Sequence, residues 1–149
     1  LKGGVNFSKI DDGLGNTDSG LGYEAAIGLA FDYKYFPLYL ELESGFKQLI
    51  TELEDASVSV IPFRFGVFYK RKIGKNSAIM PGLISAVDLV ITETKGTSGT
   101  EQNTNMIAAF GASVMLNWKP IILEPGVQFY AFGKNRGFYN FFGRLGVSF

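Results

Sequence analysis

Residues 20–33 read Gly-Leu-Gly-Tyr-Glu-Ala-Ala-Ile-Gly-Leu-Ala-Phe-Asp-Tyr. The odd positions are Leu21, Tyr23, Ala25, Ile27, Leu29, Phe31 and Tyr33. The even positions are Gly20, Gly22, Glu24, Ala26, Gly28, Ala30 and Asp32. Successive side chains of a strand point to opposite faces. Read as a strand, the segment has one continuously apolar face and one that is small or acidic. A helix, advancing about 100° per residue, would scatter both sets around its circumference. A face built from Gly and Ala is also poorly suited to fill a soluble core.

The same period recurs along the chain. Leu1, Val5 and Phe7 alternate with Lys2, Gly4, Asn6 and Ser8. Leu38, Leu40, Leu42 and Phe46 alternate with Tyr39, Glu41, Glu43, Gly45 and Lys47. Ile61, Phe63, Phe65, Val67 and Tyr69 stand opposite Val60, Pro62, Arg64, Gly66 and Phe68. Residues 77–90, 105–118, 121–132 and 139–149 repeat the pattern. The count is about eight strands of roughly ten to fourteen residues, against about five or six in soluble sheets. A tilted strand crossing a bilayer needs about 9–11. The expected fold is all-β: an eight-stranded antiparallel up-and-down transmembrane β-barrel, with residues 1–149 as a single domain.

The connections support this. Residues 11–19, 49–56, 91–104 and 133–137 read as the longer, polar loops, and 34–36, 71–76 and 119–120 as short turns. Short periplasmic turns opposite longer outer loops mark bacterial outer-membrane barrels. An even strand number puts both termini on the short-turn side. The chain opens Leu1-Lys2-Gly3-Gly4 with no n-region or h-region, so an export signal is expected to have been removed. No run of 18 apolar residues occurs, which excludes a spanning helix but not a closed barrel.

Composition removes several functions. Lys plus Arg and Asp plus Glu each number 14, so there is no basic excess to displace counterions from nucleic acid. The chain has no Cys and no His. It therefore lacks a thiolate nucleophile, and Ser-His-Asp chemistry of the kind lipid hydrolases use is excluded. Neither an enzyme activity nor a cofactor is expected. Asp11, Asp12, Asn16 and Asp18 offer oxygen ligands but not at EF-hand spacing, so no metal is expected. Gly13-Leu14-Gly15 lacks the third glycine and following helix of a dinucleotide site.

The C-terminal Phe141-Phe142-Gly143-Arg144-Leu145-Gly146-Val147-Ser148-Phe149 resembles the β-signal that outer-membrane barrels present to their assembly machinery. Gly3-Gly4-Val5-Asn6-Phe7-Ser8 and Val60-Ile61-Pro62-Phe63-Arg64-Phe65 resemble the small PorT-like outer-membrane barrels common in Bacteroidetes, an architecture shared with OmpA/OmpX-like barrels. The resemblance spans essentially the whole chain and implies fold and location more than activity. It implies an integral outer-membrane protein in contact with lipid bilayer and lipopolysaccharide or detergent, engaging the assembly machinery through Phe149.

With apolar residues facing lipid, the other parity lines the lumen. Its charged members include Glu24, Glu41, Glu43, Lys47, Arg64, Asp88, Glu124 and Arg144, with Gln128. Glu24, Glu41, Glu43, Arg64, Glu124 and Arg144 are expected to form a structural polar network. Arg64 would meet Glu41 and Glu43 across one hairpin, and Arg144 would meet Glu124 across another. Inward glycines would make room for these long groups. Tyr33, Tyr35, Tyr69, Trp118 and Phe149, with Phe36, would form an aromatic girdle at the short-turn side; Phe46, Phe129 and Tyr139 lie towards the other. The leading expectation is a non-enzymatic barrel presenting extracellular loops, 91–104 above all, to a partner the sequence does not identify. The alternative is a narrow channel or transporter for a small or hydrophobic solute. A lipocalin-like carrier is disfavoured, because its lumen would be the apolar face.

Overall fold

The computed structural model describes residues 1–11, 17–33, 35–49, 56–96, 99–131 and 137–147, with side chains over 1–5, 21–33, 35–48, 58–93, 99–130 and 139–147. The strands are β1 (Lys2–Asp11), β2 (Thr17–Asp32), β3 (Leu38–Leu49), β4 (Ala56–Tyr69), β5 (Arg71–Lys72), β6 (Ser77–Gly96), β7 (Gly99–Trp118), β8 (Ile121–Ala131) and β9 (Gly137–Val147). β5 continues β4 beyond Lys70 and pairs with β6, so the staves number eight. Each pairs antiparallel with its chain neighbour, and β1 pairs with β9 to close an eight-stranded barrel. Closure removes the unpaired edges that an open sheet would expose.

The faces divide by parity. Leu21, Ile27, Leu29, Phe63, Phe65, Leu83 and Phe110 are exposed on the outside, while Arg64, Glu124 and Arg144 are buried inside. This is the reverse of a soluble barrel. Two interior prolines mark gaps in the ladder. β3–β4 pairing skips from Ser44↔Phe63 to Lys47↔Val60 around Pro62, and β7–β8 skips from Ser113↔Gly126 to Leu116↔Leu123 around Pro125. Proline has no N–H to donate there.

One expectation is corrected. Residues 91–104, read as a long loop, are mostly strand: β6 and β7 pair from Ser77↔Trp118 out to Gly96↔Gly99. The β7–β8 ladder extends only to Ala109↔Tyr130, so this hairpin projects beyond β8. Polar, Thr-rich sequence suits a solvated strand as well as a loop, since β-branched side chains favour the extended backbone. The hairpin ends at Gly99, whose φ of +138° L side chains rarely adopt. The other long connections, residues 12–16, 50–55 and 132–136, lie outside the described residues. So do the Gly13-Leu14-Gly15 segment, the side chains of Asp11 and Asp18, and Phe149.

Inside, an apolar layer occupies the short-turn end: Tyr39, Phe68, Ala78, Met80, Met115 and Ile122. Tyr39 and Phe68 meet edge to face at 6.0 Å. A second apolar cluster, Ala86, Ile107, Ala109 and Tyr130, lies nearer the loop end. Charged side chains fill the space between.

Long inward side chains lie over glycines on the adjacent strand. Arg144 is opposite Gly4, Glu43 opposite Gly28, Lys2 opposite Gly146 and Gln128 opposite Gly111. A Cβ at Gly28 would fall 2.6 Å from the backbone oxygen of Leu42 and 2.7 Å from Cγ of Glu43, and one at Gly146 would fall 2.6 Å from the backbone oxygen of Leu1 and 2.7 Å from Cγ of Lys2. A Cβ at Gly143, by contrast, would meet nothing within 4 Å. Gly28→Val should therefore destabilise the barrel by about 1–3 kcal/mol through overpacking, while Gly143→Val should change stability little. Urea titrations of both refolded variants check this; equal losses would show that the glycines do not make room for the lumen side chains.

Candidate functional site

The lumen network is assembled from every stave: Lys2 (β1), Glu24 (β2), Glu41, Glu43 and Lys47 (β3), Arg64 (β4), Asp88 (β6), Ser113 (β7), Glu124 and Gln128 (β8), and Arg144 (β9). Alternation alone turns each of them inward. Hairpin register sets two ion pairs side by side: Glu43 stands opposite Arg64, and Glu124 opposite Arg144.

The centre is a compact ionic cluster. Lys2 Nζ lies 2.7 Å from Glu41 Oε2, 3.2 Å from Glu43 Oε1 and 2.6 Å from Glu124 Oε2. Arg144 reaches Glu43 Oε2 at 2.7 Å through Nη1 and Glu124 Oε2 at 2.6 Å through Nη2. Its Nε lies 3.4 Å from Glu24 Oε1. Ser113 Oγ donates to Glu124 Oε1 at 2.9 Å. Arg64 Nη1 is 3.6 Å from Glu43 Oε2, and Arg64 Nη2 donates to Gln128 Oε1 at 3.0 Å. The two guanidinium groups lie 4.9 and 5.2 Å from the ring centroid of Phe142, within cation–π range.

A second group lies towards the loop end. Tyr130 Oη donates to Asp88 Oδ2 at 2.6 Å and accepts from Lys47 Nζ at 3.3 Å.

The structure brings together all six residues expected in the network, with one change of partner. Glu41 pairs with Lys2 rather than Arg64, because its cross-strand neighbour on β4 is Gly66 and Arg64 sits opposite Glu43. Lys2 was missing from the expected network, although it shares the inward parity of Gly4. Ser113, Tyr130 and Phe142 were missed too, and only their parity hinted at them. Of the expected girdle, Tyr33, Tyr35, Tyr69 and Trp118 are exposed around the short-turn end.

Glu41, Glu43 and Glu124 bring carboxylate oxygens within 4.8 Å of one another, the arrangement of a cation site. The cation at its centre is the ammonium of Lys2. A cavity of about 10 Å³ between Glu24, Glu43, Arg64 and Arg144 has room for at most one water. The arrangement is a packed electrostatic core, with its carboxylates engaged by fixed cations.

These features define a class of fold: the closed eight-stranded antiparallel barrel with an apolar exterior and a polar, filled interior. No family model matches the chain, and no curated protein matches it. Among solved structures it is similar to Neisserial surface protein A, with a TM-score of 0.69 at 12% identity, covering 99% of this chain and 95% of that one. It is similar also to Ail, the attachment invasion locus protein of Yersinia pestis (TM-score 0.57, 10% identity, 99% and 95% covered). A third is the N-terminal β-barrel domain of Pseudomonas aeruginosa OprF (TM-score 0.52, 7% identity, 97% and 96% covered). At these identities the likeness is one of fold.

Glu124→Ala removes the carboxylate that Lys2 and Arg144 share, breaking the shortest ion pair of each and leaving Ser113 Oγ without its acceptor. The unfolding free energy should fall by about 3–5 kcal/mol. Adding Lys2→Met to Glu124→Ala should cost less than the sum of the two single changes, because the residues act in one network. Urea titrations followed by Trp118 fluorescence test this, and strictly additive losses would contradict it.

Proposed function

We propose that the protein is a non-enzymatic integral outer-membrane barrel. Its lumen serves as a rigid strut, and its loop-side connections and β6–β7 hairpin are held outward as a contact surface. The observation that carries this reading is the inverted polarity of a filled barrel. Exposed Ile27, Leu29, Leu83 and Phe110 suit acyl chains, while the ions are paired inside. Only helices and closed barrels satisfy all their backbone groups in lipid. The structural neighbours, a surface protein, an attachment invasion protein and the β-barrel domain of OprF, share this fold and support the same location.

In this reading the short turns and both ends of the chain face the periplasm. Leu1 N donates to Val147 O at 3.1 Å at that end. Exposed Tyr33, Tyr35, Tyr69 and Trp118 sit at headgroup depth there, and Phe129 packs on Tyr139 at 5.2 Å towards the other rim. Lipopolysaccharide surrounds the outer half, and Phe149 ends the segment that the assembly machinery engages. The PorT-like resemblance of residues 3–8 and 60–65 fits the same placement. The apolar layer of Tyr39, Phe68, Met80 and Met115 blocks the lumen at the short-turn end, which weighs against a channel.

The test is insertion and sealing. Unboiled protein should sediment with outer membranes and migrate apart from the boiled form, and reconstituted bilayers should show no added conductance. Ile27, paired with Ser44 midway along the β2–β3 ladder, gives the sharper check. Ile27→Arg should cost about 2–4 kcal/mol if this face meets the bilayer midplane. A change within about 0.5 kcal/mol, as at a water-exposed site, or reproducible conductance would overturn the reading.

A further inference from the structure

The chain's zero net charge conceals a separation of charge along the barrel axis. At the short-turn rim, Lys70, Arg71, Lys72, Lys75 and Lys119 stand against a single described carboxylate there, Asp32. Asp32 is ion-paired with Lys70. Among the described residues, none of the other four cations has a carboxylate within 4.0 Å, and all are exposed. At the opposite end the projecting hairpin carries exposed Glu93 and Glu101. The connecting segments there carry Asp12, Glu52, Glu54 and Asp55 in sequence, against Lys134 and Arg136, with Lys95 on the hairpin.

The basic rim adjoins apolar surface. A depression of about 420 Å³ is lined by Tyr33, Tyr35, Phe36 and Pro37, with Lys72 and the Asp32–Lys70 ion pair along one edge. Tyr35 and Phe36 are 87% and 69% exposed. Arg71 pairs in register with Ile79, on the outward parity it shares with Tyr69 and the exposed Ile73. On the inner side of Lys70 and Lys72, a vestibule of about 400 Å³ shares Asp32 with the depression and adds Lys75 and Lys119 above a floor of Tyr39 and Met80.

We propose that this rim is a binding site for an anionic phospholipid of the adjoining leaflet. Lys72, which edges the depression, takes the headgroup phosphate; Arg71, Lys75 and Lys119 add positive potential; and Tyr33, Tyr35 and Phe36 flank the glycerol and upper acyl carbons. A phosphate beside clustered cations gains charge-assisted hydrogen bonds, and basic clusters beside a bilayer draw anionic lipid. The aromatic wall decides the source of the phosphate. A free anion gains nothing from three exposed rings, whereas a lipid covers them. The inference rests on the membrane reading above and adds a lipid class and a site to it.

Trp118, the protein's one tryptophan, reports on this rim. It is exposed, and the amide of its neighbour Lys119 donates to Asn76 O of the basic turn at 3.1 Å. The full chain is reconstituted into phosphatidylcholine vesicles containing a small fraction of chain-brominated phosphatidylglycerol or chain-brominated phosphatidylcholine. Bromine quenches tryptophan on contact. Brominated phosphatidylglycerol should associate with the rim about fivefold more strongly than the phosphatidylcholine, the size of effect one surface cation supplies. R71Q/K72Q/K75Q should bring the two lipids level, Y35A/F36A should weaken the preference, and millimolar inorganic phosphate should leave it intact. Heat-modifiable migration confirms that each variant is folded. Equal quenching of the unaltered protein by both lipids would overturn the proposal. So would a preference that survives either variant unchanged, or one that inorganic phosphate abolishes, which would assign the rim to free phosphate. Quenching by neither lipid, with full quenching by water-soluble acrylamide, would overturn the membrane reading itself.

Discussion

The barrel depends on the shared contact of Lys2 and Arg144 with Glu124. Glu124 is 0% exposed and Arg144 2%, so neither has water to fall back on. A lone buried charge costs several kcal/mol, and its attraction to a partner offsets this only when geometry is good and the remaining donors are used. Here one carboxylate takes an ammonium and a guanidinium at 2.6 Å each, with a serine hydroxyl on its other oxygen. The partners come from β1, β7, β8 and β9. The contact therefore forms only once the first strand has met the last, and it makes closure a condition of neutralising the charges.

Barrel width sets what can sit inside. Eight staves enclose a space just wide enough for side chains. Two arginines, two lysines and a phenylalanine in one short length of lumen overfill it unless the wall recedes. The glycines provide that recess. Gly4, Gly28, Gly111 and Gly146 each face a long side chain on the adjacent strand, and Gly126 stands opposite Phe142. Polar filling and glycine-rich walls are thus one adaptation. A more conventional interior of Leu and Val would need neither. The charged interior also fixes strand register, because a slip of one residue would turn Glu43 and Arg64 outward and Leu42 and Phe65 inward.

Much of this was legible in the sequence, for a local reason. Parity is a property of each strand alone, so the alternation in residues 20–33 identified the inward face without any knowledge of neighbours. The pairs Glu43–Arg64 and Glu124–Arg144 are nearly as accessible, since each lies between two strands that are neighbours in the chain. The contacts from Lys2 to Glu41 and from Arg144 to Glu43 were not. They cross the lumen, and their heights depend on strand tilt and stagger, which no single hairpin encodes. Lys2 was overlooked because it stands beside Gly3 and Gly4, where alternation has almost no side chains to display it. The β6–β7 extension is hidden for a different reason: polar sequence is common to loops and to solvated strands. Antiparallel pairing asks only for a partner strand, and Ile91↔Thr104 through Gly96↔Gly99 supplies one without burying an apolar face.

The equal totals of acid and base, 14 each, give a poor picture of the molecule. The charges fall into three zones with different physics. Among the described residues, those in the lumen are five carboxylates and four cations, desolvated and mostly held in contact with one another, so they act on stability and register. Those at the short-turn rim are solvated and almost all of one sign, so they act through potential on whatever lies beside them. At the far end acidic side chains outnumber basic ones, so the potential there has the opposite sign. In the membrane reading the two rims face different lipids and different compartments, and a single net charge averages away this difference.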